Sequence, residues 1–397
     1  MSRRARGTDL RILVFNVGSS SLGFKLYRHS DLLVAGKCHR VGVKGAAPSF
    51  IECLYDGHRV RQEIELHEHV VAARHVMQFL DSNGYHCDAV GHRFADGGGA
   101  FEGGVVLDEE TKAVLLRCAP LAPLHNGAAL QIMDLVAGWW SEAMQFVVFD
   151  STFHSDLPEV ARTYALPQSL AATYRKHGFH GLSYADVLEK SSWYLGESGF
   201  KAVMLHLGTG GSSACAVRDG RSVATSMGYS PLQGLIMNTR CGDLDPGIVV
   251  DLVRRGYLAD ELTRVLHCES GLLGLSGGAS SDLRDLSESM ADNVRARLAF
   301  DAYVYRIRFY IGAYAAVLNG LDVLVFTDDV GLRVPALRSA VCQDLEFLGI
   351  HLDEELNRNA DPDRIEPLHG AGSTVRILSV PNDEERAIYA EGLKLLA

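Results

Sequence analysis

Residues 12–27, ILVFNVGSSSLGFKLY, decide the fold class of this chain. Residues 12–15 are an apolar run typical of a buried strand, and residues 22–27 predict a second strand. Residues 16–21 between them are rich in Gly and Ser, as in a tight turn. One such hairpin is common, so its meaning depends on whether the unit recurs.

The unit does recur near the middle of the chain. Residues 202–207 form an apolar run, residues 208–213 (GTGGSS) a second Gly- and Ser-rich turn, and residues 214–217 a returning strand. Two copies, each opening one half of the chain, indicate a duplicated α/β domain. A long helix is also predicted over residues 292–318, where Leu298, Ala302, Tyr305 and Phe309 recur at three- and four-residue spacing.

Composition excludes several classes of protein. The chain has 397 residues, more than one hydrophobic core usually fills. Its net charge of -11 argues against non-specific binding to nucleic acid. Eight scattered cysteines without a C-x-x-C pair predict reduced thiols. No apolar run is long enough for a membrane span or a signal peptide, so we expect a cytoplasmic protein without a membrane partner.

The two turns are candidate phosphate sites. The first resembles a Walker A loop, but Lys25 does not directly follow Gly23 and strands flank the turn on both sides. Hydroxyls and free backbone N–H groups can nevertheless hold a phosphate. Either turn alone is more readily explained as a plain turn, whereas the pair favours phosphate binding. The candidate residues are Ser19, Ser21, Gly208, Thr209, Gly210 and Gly211.

Charged and polar residues at strand ends are candidates for the chemistry: Arg93, Asp150, His180, Arg240 and Glu384. Arginine has a planar fork that fits a carboxylate or a phosphoryl group. Carboxylates at an anionic site usually hold Mg²⁺. Taken one at a time, each residue is more often a surface ion pair or a core histidine.

Several long motifs occur together, and with them the sequence resembles the acetate kinase family of the acetate and sugar kinase/actin superfamily, from about residue 11 to 390. The motifs are N-x-G-S-S-S-L at residues 16–22, G-H-R at 91–93, L-A-P-L-H-N at 121–126, F-D-x-x-F-H at 149–154, G-F-H-G-x-S at 178–183, T-R-x-G-D-x-D-P-G at 239–247, S-G-L-L-G at 270–274 and S-S-D-L-R-D at 280–285.

The resemblance implies an α/β fold of two duplicated actin-like (ribonuclease H-like) domains around an interdomain cleft. We expect the first domain over residues 1–155, with the C-terminal helix 385–397 packing back on it. The second domain would cover residues 156–384 and form a homodimer.

The resemblance also implies roles for individual residues. Arg93 and Arg240 would grip the carboxylate and the phosphoryl group, Asp150 would act with Mg²⁺ (or Mn²⁺), and His180 would stabilise the phosphoryl group during in-line transfer. Asn16 and Glu384 would bind the metal ion. Leu124, Phe179, Pro231 and Ala95 would bind the acyl group. His206, Asp282 and Arg284 would join the phosphate-binding residues, with His125 lining the cleft.

The chain departs from the family at the loop that shapes the adenosine pocket. The common F-T-G-G-I-G-E-N is replaced by FTDDVGLR at residues 326–333, where Asp328 and Asp329 stand for glycines. With the other motifs, this resembles the diphosphate-dependent branch. The resemblance therefore implies that acetyl phosphate and inorganic phosphate give acetate and diphosphate. The alternatives are an ATP-dependent acetate or propionate kinase and an inactive homologue that binds acetyl phosphate.

Three smaller departures affect the expected site. Asp96 stands where the family has His, which places an anion near a phosphate site. Ala95 replaces Val in the acyl pocket, so propionate could be accepted. Gly23 occupies the position of the family lysine, and Lys25 follows two residues later.

Overall fold

The computed structural model describes residues 10–43 and 48–397, with Pro123 and Leu124 described in their backbone only. Strands of the described residues are β1 (Arg11–Val17), β2 (Ser21–Arg28), β3 (Asp31–His39), β4 (Phe50–Tyr55), β5 (His58–Glu63), β6 (Ala89–Phe94), β7 (Val105–Val106), β8 (Met144–Phe149), β9 (Lys201–Gly208), β10 (Gly211–Arg218), β11 (Arg221–Thr225), β12 (Val323–Thr327), β13 (Glu366–Pro367) and β14 (Arg376–Ser379).

The helices are α1 (His69–Ser82), α2 (Glu109–Cys118), α3 (Pro123–Trp139), α4 (Glu159–Arg162), α5 (Gln168–Ala171), α6 (Gly181–Leu195), α7 (Pro246–Arg254), α8 (Ala259–Arg264), α9 (Gly271–Leu275), α10 (Leu283–Ser289), α11 (Val294–Leu318), α12 (Asp328–Arg333), α13 (Pro335–Cys342), α14 (Glu354–Asn359) and α15 (Glu384–Leu396). Short 3₁₀ turns lie at Ala119–Leu121, Thr152–His154 and Glu346–Leu348, and a π turn lies at Val265–Glu269.

The chain divides into two compact units. Unit 1 comprises Met1–Thr152 and Asp383–Ala397, and unit 2 comprises Phe153–Asn382. Unit 1 contains a sheet in the order β5-β4-β3-β2-β1-β6-β8-β7, and unit 2 a sheet in the order β11-β10-β9-β12-β14-β13.

Each sheet has the same arrangement at its centre. In unit 1, β1 pairs antiparallel with β2 and parallel with β6, which pairs parallel with β8. In unit 2, β9 pairs antiparallel with β10 and parallel with β12, which pairs parallel with β14. The repeated strand–turn–strand unit therefore opens two copies of one mixed sheet, which confirms the predicted duplicated α/β fold.

The continuous apolar run of β9 follows from burial on both faces of the unit 2 sheet. Val203, Leu205 and Leu207 belong to the core on one face, while Ala202 and Met204 belong to the core on the other. A strand covered on both sides cannot alternate apolar and polar residues. This explains why periodicity alone identified the strand only as an apolar run.

The long helix α11 is confirmed, but the apolar residues used to predict it do not form its buried face. Leu298, Tyr305 and Phe309 are more than half exposed. The buried face instead carries residues such as Phe300 and Ile307. The helix is therefore apolar on two faces, one of which is turned to solvent in this chain.

All eight cysteines are free thiols, most of them buried. In the part of the chain that the structure describes, no helix combines the length and apolar character that crossing a membrane requires.

The packing of α15 against the unit 1 sheet gives a test of the fold. A Cβ added to Gly392 would lie 2.2 Å from Cζ of Phe146. We expect Gly392→Ala to lower the free energy of unfolding by about 1–3 kcal/mol, because the aromatic ring must shift. Urea denaturation measures the change.

A matched control is Gly138→Ala in α3, where no atom of the described residues lies within 4 Å of the added Cβ. Here alanine should raise the free energy of unfolding by about 0.5–1 kcal/mol, since glycine is the poorer helix former. Equal effects of the two substitutions would contradict the packing of α15.

Candidate active site

Arg93 and Asp150 meet where two parallel strands of unit 1 end. Arg93 lies on β6 opposite Val148 of β8, and Asp150 directly follows β8. The Arg93 side chain donates from Nη2 to Asp150 Oδ2 at 2.5 Å and from Nε to the same oxygen at 3.1 Å. Its Nη1 donates to the backbone oxygen of Val17. These bonds fix the direction of the guanidinium.

The charge of Arg93 is held by the carboxylates around it. Burial opposes that charge, but Asp150 and then Glu384 raise the pKa of Arg93 above its ordinary value. Asp150 is itself buried, and its Oδ1 has no hydrogen-bond partner among the described residues. A buried carboxylate oxygen with unused lone pairs fits a cation ligand.

Asn16 and the start of α15 form the second part of this site. The Asn16 amide donates from Nδ2 to Glu384 Oε2 and to Glu385 Oε1, each at 2.9 Å. Lys25 Nζ lies 2.7 Å from Asp383 Oδ2 and 3.6 Å from Glu385 Oε2. Asn16 therefore orients carboxylates at the helix terminus.

Gly23 explains how the shifted lysine is accommodated. A Cβ at Gly23 would lie 2.4 Å from Glu385 Oε1, so a larger residue would displace that carboxylate. Lys25, on the neighbouring position of the same strand face, contacts Asp383 and Glu385 instead. Lys25 thus places a positive charge at the start of α15.

In the described residues, no cluster of three or more His, Cys, Asp or Glu side chains has the arrangement of a metal site. Asp150 and Glu384 nevertheless fit Mg²⁺ as oxygen donors, because this ion commonly retains waters and substrate phosphate oxygens as its remaining ligands.

The first turn has a defined backbone but an open tip. Gly18 N donates to Ser21 O at 2.9 Å, and His69 Nε2 lies 2.9 Å from Gly18 O. Ser19 is exposed, whereas Ser21 is half-buried. Both hydroxyl positions remain candidates for phosphate contact.

Ala95 and Asp96 are buried in a turn held by Asn126, whose Oδ1 accepts the Ala95 N–H at 3.0 Å. Asp96 Oδ1 accepts the backbone N–H of Gly98 at 2.8 Å. The aspartate that replaces the family histidine thus stabilises its own turn. Leu124 lies in the first turn of α3, and its side chain is outside the described residues.

In unit 2, the second turn is covered by two carboxylates. Thr209 and Gly210 form the tip between β9 and β10, where Gly208 pairs with Gly211. Asp329 Oδ1 accepts the Thr209 N–H at 2.9 Å and Oδ2 accepts its hydroxyl at 3.1 Å. A Cβ at Gly208 would lie only 1.8 Å from Asp328 Oδ2. Asp328 therefore packs directly on the glycine backbone.

Arg284 and Asp282 lie beside these carboxylates. Arg284 donates from Nε to Asp282 Oδ1 at 2.9 Å and from Nη2 to Oδ2 at 2.5 Å. Arg284 Nη1 is also 4.0 Å from Asp329 Oδ2. The hydrogen bonds from Arg284 lower the pKa of Asp282, so this carboxylate stays ionised.

His180 and His206 lie together, with ring centroids 4.0 Å apart. His180 has φ +61° at the start of α6, a left-handed conformation that costs energy for a residue other than glycine. Its Nδ1 lies 2.8 Å from Ser213 Oγ. His206 Nδ1 lies 2.9 Å from Ser183 Oγ, and its Nε2 lies 3.0 Å from Asp328 Oδ2.

Arg240 directs its guanidinium toward the same turn. A Cβ at Gly211 would lie 3.3 Å from Arg240 Nη1 and 3.5 Å from His180 Nε2, so donors of both residues converge on this glycine. Arg240 Nη1 also donates to Pro231 O at 3.4 Å. The arrangement suits an anion that lies against the Gly211 backbone.

Phe179 is buried with Met227 and Met237 in a small apolar cluster. The Arg240 guanidinium lies 3.8 Å from Met237 Sδ and close to Pro231. Pro231 therefore lies beside Arg240, and Phe179 packs with Met237, which Arg240 also contacts.

Sequence reasoning missed Tyr184, Ser213, Ser183 and Met237. The first three carry polar atoms that contact the two histidines or their partners. Ser183 lies in the G-F-H-G-x-S motif and Ser213 ends the second turn, so the signal for both serines was within motifs already recognised.

Unit 1 carries a guanidinium–carboxylate pair, and unit 2 carries an arginine and two histidines beside a Gly-rich turn. Residues of these types suit phosphoryl transfer. Comparison with known proteins is more specific. Residues 11–390 match the model of the acetokinase family. The chain is 38% identical to the acetate kinase of Moorella thermoacetica over 402 residues, covering 98% of this chain and 100% of that protein. It is 39% identical to that of Heliobacterium modesticaldum over 398 residues, covering 97% and 99%.

Solved structures agree with these relatives. The crystal structure of acetate kinase from Entamoeba histolytica has a TM-score of 0.88 at 38% identity, covering 97% of this chain and 99% of that one. A propionate kinase from Francisella tularensis has a TM-score of 0.88 at 31% identity, covering 96% of this chain and 98% of that one.

The chain belongs to the acetokinase family and has its actin-like fold. It is an acetate kinase phosphotransferase with a carboxyl group as acceptor; these relatives favour the ATP-dependent alternative over diphosphate dependence.

His92, next to Arg93, gives a pH-dependent test. Burial lowers the pKa of His92 to about 4, although its hydrogen bond to Gln145 Oε1 at 2.8 Å favours the charged form. Its unfolded pKa is near 6.5, so the unfolded chain binds the extra proton between these values. The contribution of His92 to the free energy of unfolding is therefore fully present above pH 6.5. It is lost as the pH falls toward 4, which lowers the free energy of unfolding by about 3 kcal/mol.

We expect His92→Gln to flatten this part of the pH profile of unfolding free energy, measured by denaturant titration. The exposed strand residue His58 supplies the control, and His58→Gln should keep the wild-type slope. If His92→Gln also kept it, the buried neutral histidine would not be its source.

Proposed function

We propose that this acetate kinase transfers a phosphoryl group directly between acetyl phosphate and inorganic phosphate, with acetate and diphosphate as products. The choice of phosphate is supported by the positions of two carboxylates. Asp328 packs over Gly208, and Asp329 accepts two hydrogen bonds from Thr209. In the family, this turn and the segment after β12 shape the nucleotide site.

The two carboxylates oppose a nucleotide in two ways. Asp329 already accepts the Thr209 N–H and hydroxyl, which are the donors that a nucleotide phosphate would need. Asp328 fills the space above Gly208. A single phosphate needs neither donor, because Gly211, Arg240 and His180 form a separate set.

The second candidate is an ATP-dependent acetate or propionate kinase. It is supported by the relatives, which are named acetate kinase and match nearly the whole chain. Under this alternative, Asp328 and Asp329 would move aside when a nucleotide binds. The two candidates share the chemistry and differ only in the partner of acetyl phosphate.

The remaining roles follow from the two residue groups. Arg93 and Arg240 would neutralise the carboxylate and the transferring phosphoryl group, and His180 would donate to a phosphoryl oxygen. Asp150 and Glu384, oriented by Asn16, would hold Mg²⁺ or Mn²⁺, which supplies charge neutralisation for phosphate oxygens. Phe179, Pro231, Leu124 and Ala95 would enclose the acetyl methyl group.

The function is tested by incubating the purified protein with acetyl phosphate and Mg²⁺, separately with phosphate and with ADP. We expect diphosphate from phosphate and little ATP from ADP. Arg240→Ala should lose turnover by about a hundredfold or more with unchanged folding, because a donor to the phosphoryl group is removed. ATP formed faster than diphosphate would reject the proposal in favour of the second candidate.

A loop variant makes the test sharper. Asp328→Gly with Asp329→Gly frees the Thr209 donors and the space over Gly208. The double variant should gain turnover with ADP relative to phosphate. An unchanged ratio would show that these carboxylates do not select the phosphoryl partner.

We further propose that unit 2 forms a homodimer and that the enzyme acts in the cytoplasm. The dimer is supported by the exposed apolar face of α11, where Val294, Leu298, Tyr305 and Phe309 are each more than half exposed. Exposed apolar residues grouped on one long helix are typical of an interaction surface.

Tyr305→Asp combined with Phe309→Asp should therefore convert the dimer to a monomer, because two carboxylates would be buried at the interface. Sedimentation velocity measures the mass, and circular dichroism checks the fold. Trp193→Asp, at an exposed position on α6, is the control and should remain dimeric. A monomeric wild-type protein would refute this arrangement.

A further inference from the structure

Arg240 lies in a loop, residues 234–243, whose two ends are held together by one aspartate. The Asp243 backbone N–H donates to Gly234 O at 3.0 Å, and the Gly234 N–H donates to Asp243 Oδ1 at 3.1 Å. The backbone and the side chain of Asp243 thus close the neck of this segment. We call residues 234–243 the Arg240 loop.

The neck of the Arg240 loop is narrow enough to require glycine. Gly242 has φ +70°, and a Cβ at this position would lie 2.5 Å from Leu235 O and 2.7 Å from Gly234 O. Backbone of the two ends therefore packs in direct contact. A loop closed so tightly has few alternative paths as long as its neck stays closed.

The second oxygen of Asp243 attaches the neck to the long helix α11. The Tyr310 hydroxyl donates to Asp243 Oδ2 at 2.8 Å, and Arg306 Nη1 lies 3.1 Å from the same oxygen. Arg306 Nη1 also donates to Asp243 O at 3.4 Å. These two side chains lie one turn apart on a helix whose buried face belongs to the core of unit 2.

The far side of the Arg240 loop is held by backbone hydrogen bonds next to α9. Ser270 N donates to Thr239 O at 3.0 Å, and Leu272 N donates to Met237 O at 2.9 Å. Within the loop, Met237 N donates to Arg240 O at 3.2 Å. The backbone on which Arg240 stands therefore lies between two anchors, one at α9 and one at α11.

We propose that Asp243 is a positioning residue, which sets the direction of Arg240 by tying its loop to α11. A carboxylate is required because both of its oxygens face donors. An amide has a single acceptor oxygen, so its NH₂ group would face either the Gly234 N–H or the donors of Arg306 and Tyr310. The effect of this position on turnover rests on the role proposed for Arg240.

The first test observes the Arg240 guanidinium without substrate, by nuclear magnetic resonance of ¹⁵N-labelled arginine side chains. Arg240→Lys identifies the signal of residue 240 by its loss. In Asp243→Asn, this signal should shift or broaden, because the neck of the loop loses an acceptor. A signal unchanged from the wild type would overturn the proposal.

Asp245→Asn is the matched control, two residues along the chain. Asp245 is exposed and accepts the Gly247 N–H at 2.8 Å, where it caps α7. Asparagine caps a helix about as well as aspartate does. The Arg240 signal and the turnover of this variant should match those of the wild type, and a change equal to that of Asp243→Asn would overturn the proposal.

A double-mutant cycle tests whether Asp243 acts through Arg240. Asp243→Asn should lower kcat/KM for acetyl phosphate by about tenfold or more, because a small displacement of a positioned group slows the reaction strongly. In the Arg240→Ala background, the same substitution should cost less than about twofold, since the group to be positioned is already absent. Losses that multiply in the double variant, or a wild-type rate in Asp243→Asn, would overturn the proposal.

Tyr310→Phe is a milder variant, for the case in which Asp243→Asn does not fold. It removes one donor to Asp243 Oδ2 and leaves Arg306 in place. Circular dichroism checks the fold. We expect a shifted Arg240 signal and a loss in kcat/KM of about threefold, in keeping with one hydrogen bond. An unchanged signal together with an unchanged rate would contradict the proposal.

The same measurements distinguish this inference from the proposed function. The cycle is run with whichever acceptor, phosphate or ADP, gives turnover, so formation of ATP would refute the diphosphate reaction and leave the cycle intact. If Arg240→Ala kept the wild-type rate, the proposed active site would fail. The Arg240 signal in Asp243→Asn would then still decide whether Asp243 holds that side chain.

Discussion

The register between parallel strands is the constraint on which both groups of site residues depend. In unit 2, His206 of β9 pairs with Thr327 of β12, so the next residue, Asp328, lies beside His206 and the second turn. In unit 1, the pairing of β6 with β8 brings Asp150 beside Arg93. The carboxyl ends of parallel strands lie at the same edge of a sheet, so the residues that follow these strands come together there. A shift of one residue in either pair would separate these charges.

Backbone strain is found at the same edge of unit 2. His180 has φ +61° and Asp328 has φ +65°, although neither residue is glycine. Such a conformation costs about 1–3 kcal/mol and persists only where surrounding contacts fix it. His180 is held by Ser213 and packs on His206, and Asp328 contacts His206. The strain therefore lies at two residues to which the proposed function assigns a part.

The sequence could predict the duplicated fold, because the strand–turn–strand unit is visible twice. Of the five charged and polar residues predicted at strand ends, Arg93 and Asp150 lie there, whereas His180 and Glu384 lie at helix starts and Arg240 lies in a loop. It could not predict that Asp328 covers Gly208, since that contact depends on strand register. The helical spacing of Tyr305 and Phe309 predicted α11 correctly, but it did not show that this face is exposed. Periodicity reports which residues share a face, whereas the partner of that face is a property of tertiary structure.

Charge balance in unit 1 explains why a divalent cation suits this site. Asp150, Glu384 and Glu385 all act on the charge of Arg93, and Lys25 contacts Asp383 and Glu385 at the start of α15. Several carboxylates thus lie close together before any anionic substrate arrives. Bringing a phosphate to such a site would increase the repulsion, unless a cation is bound with it. The unused Oδ1 of Asp150 offers that cation an oxygen ligand without disturbing the pair with Arg93.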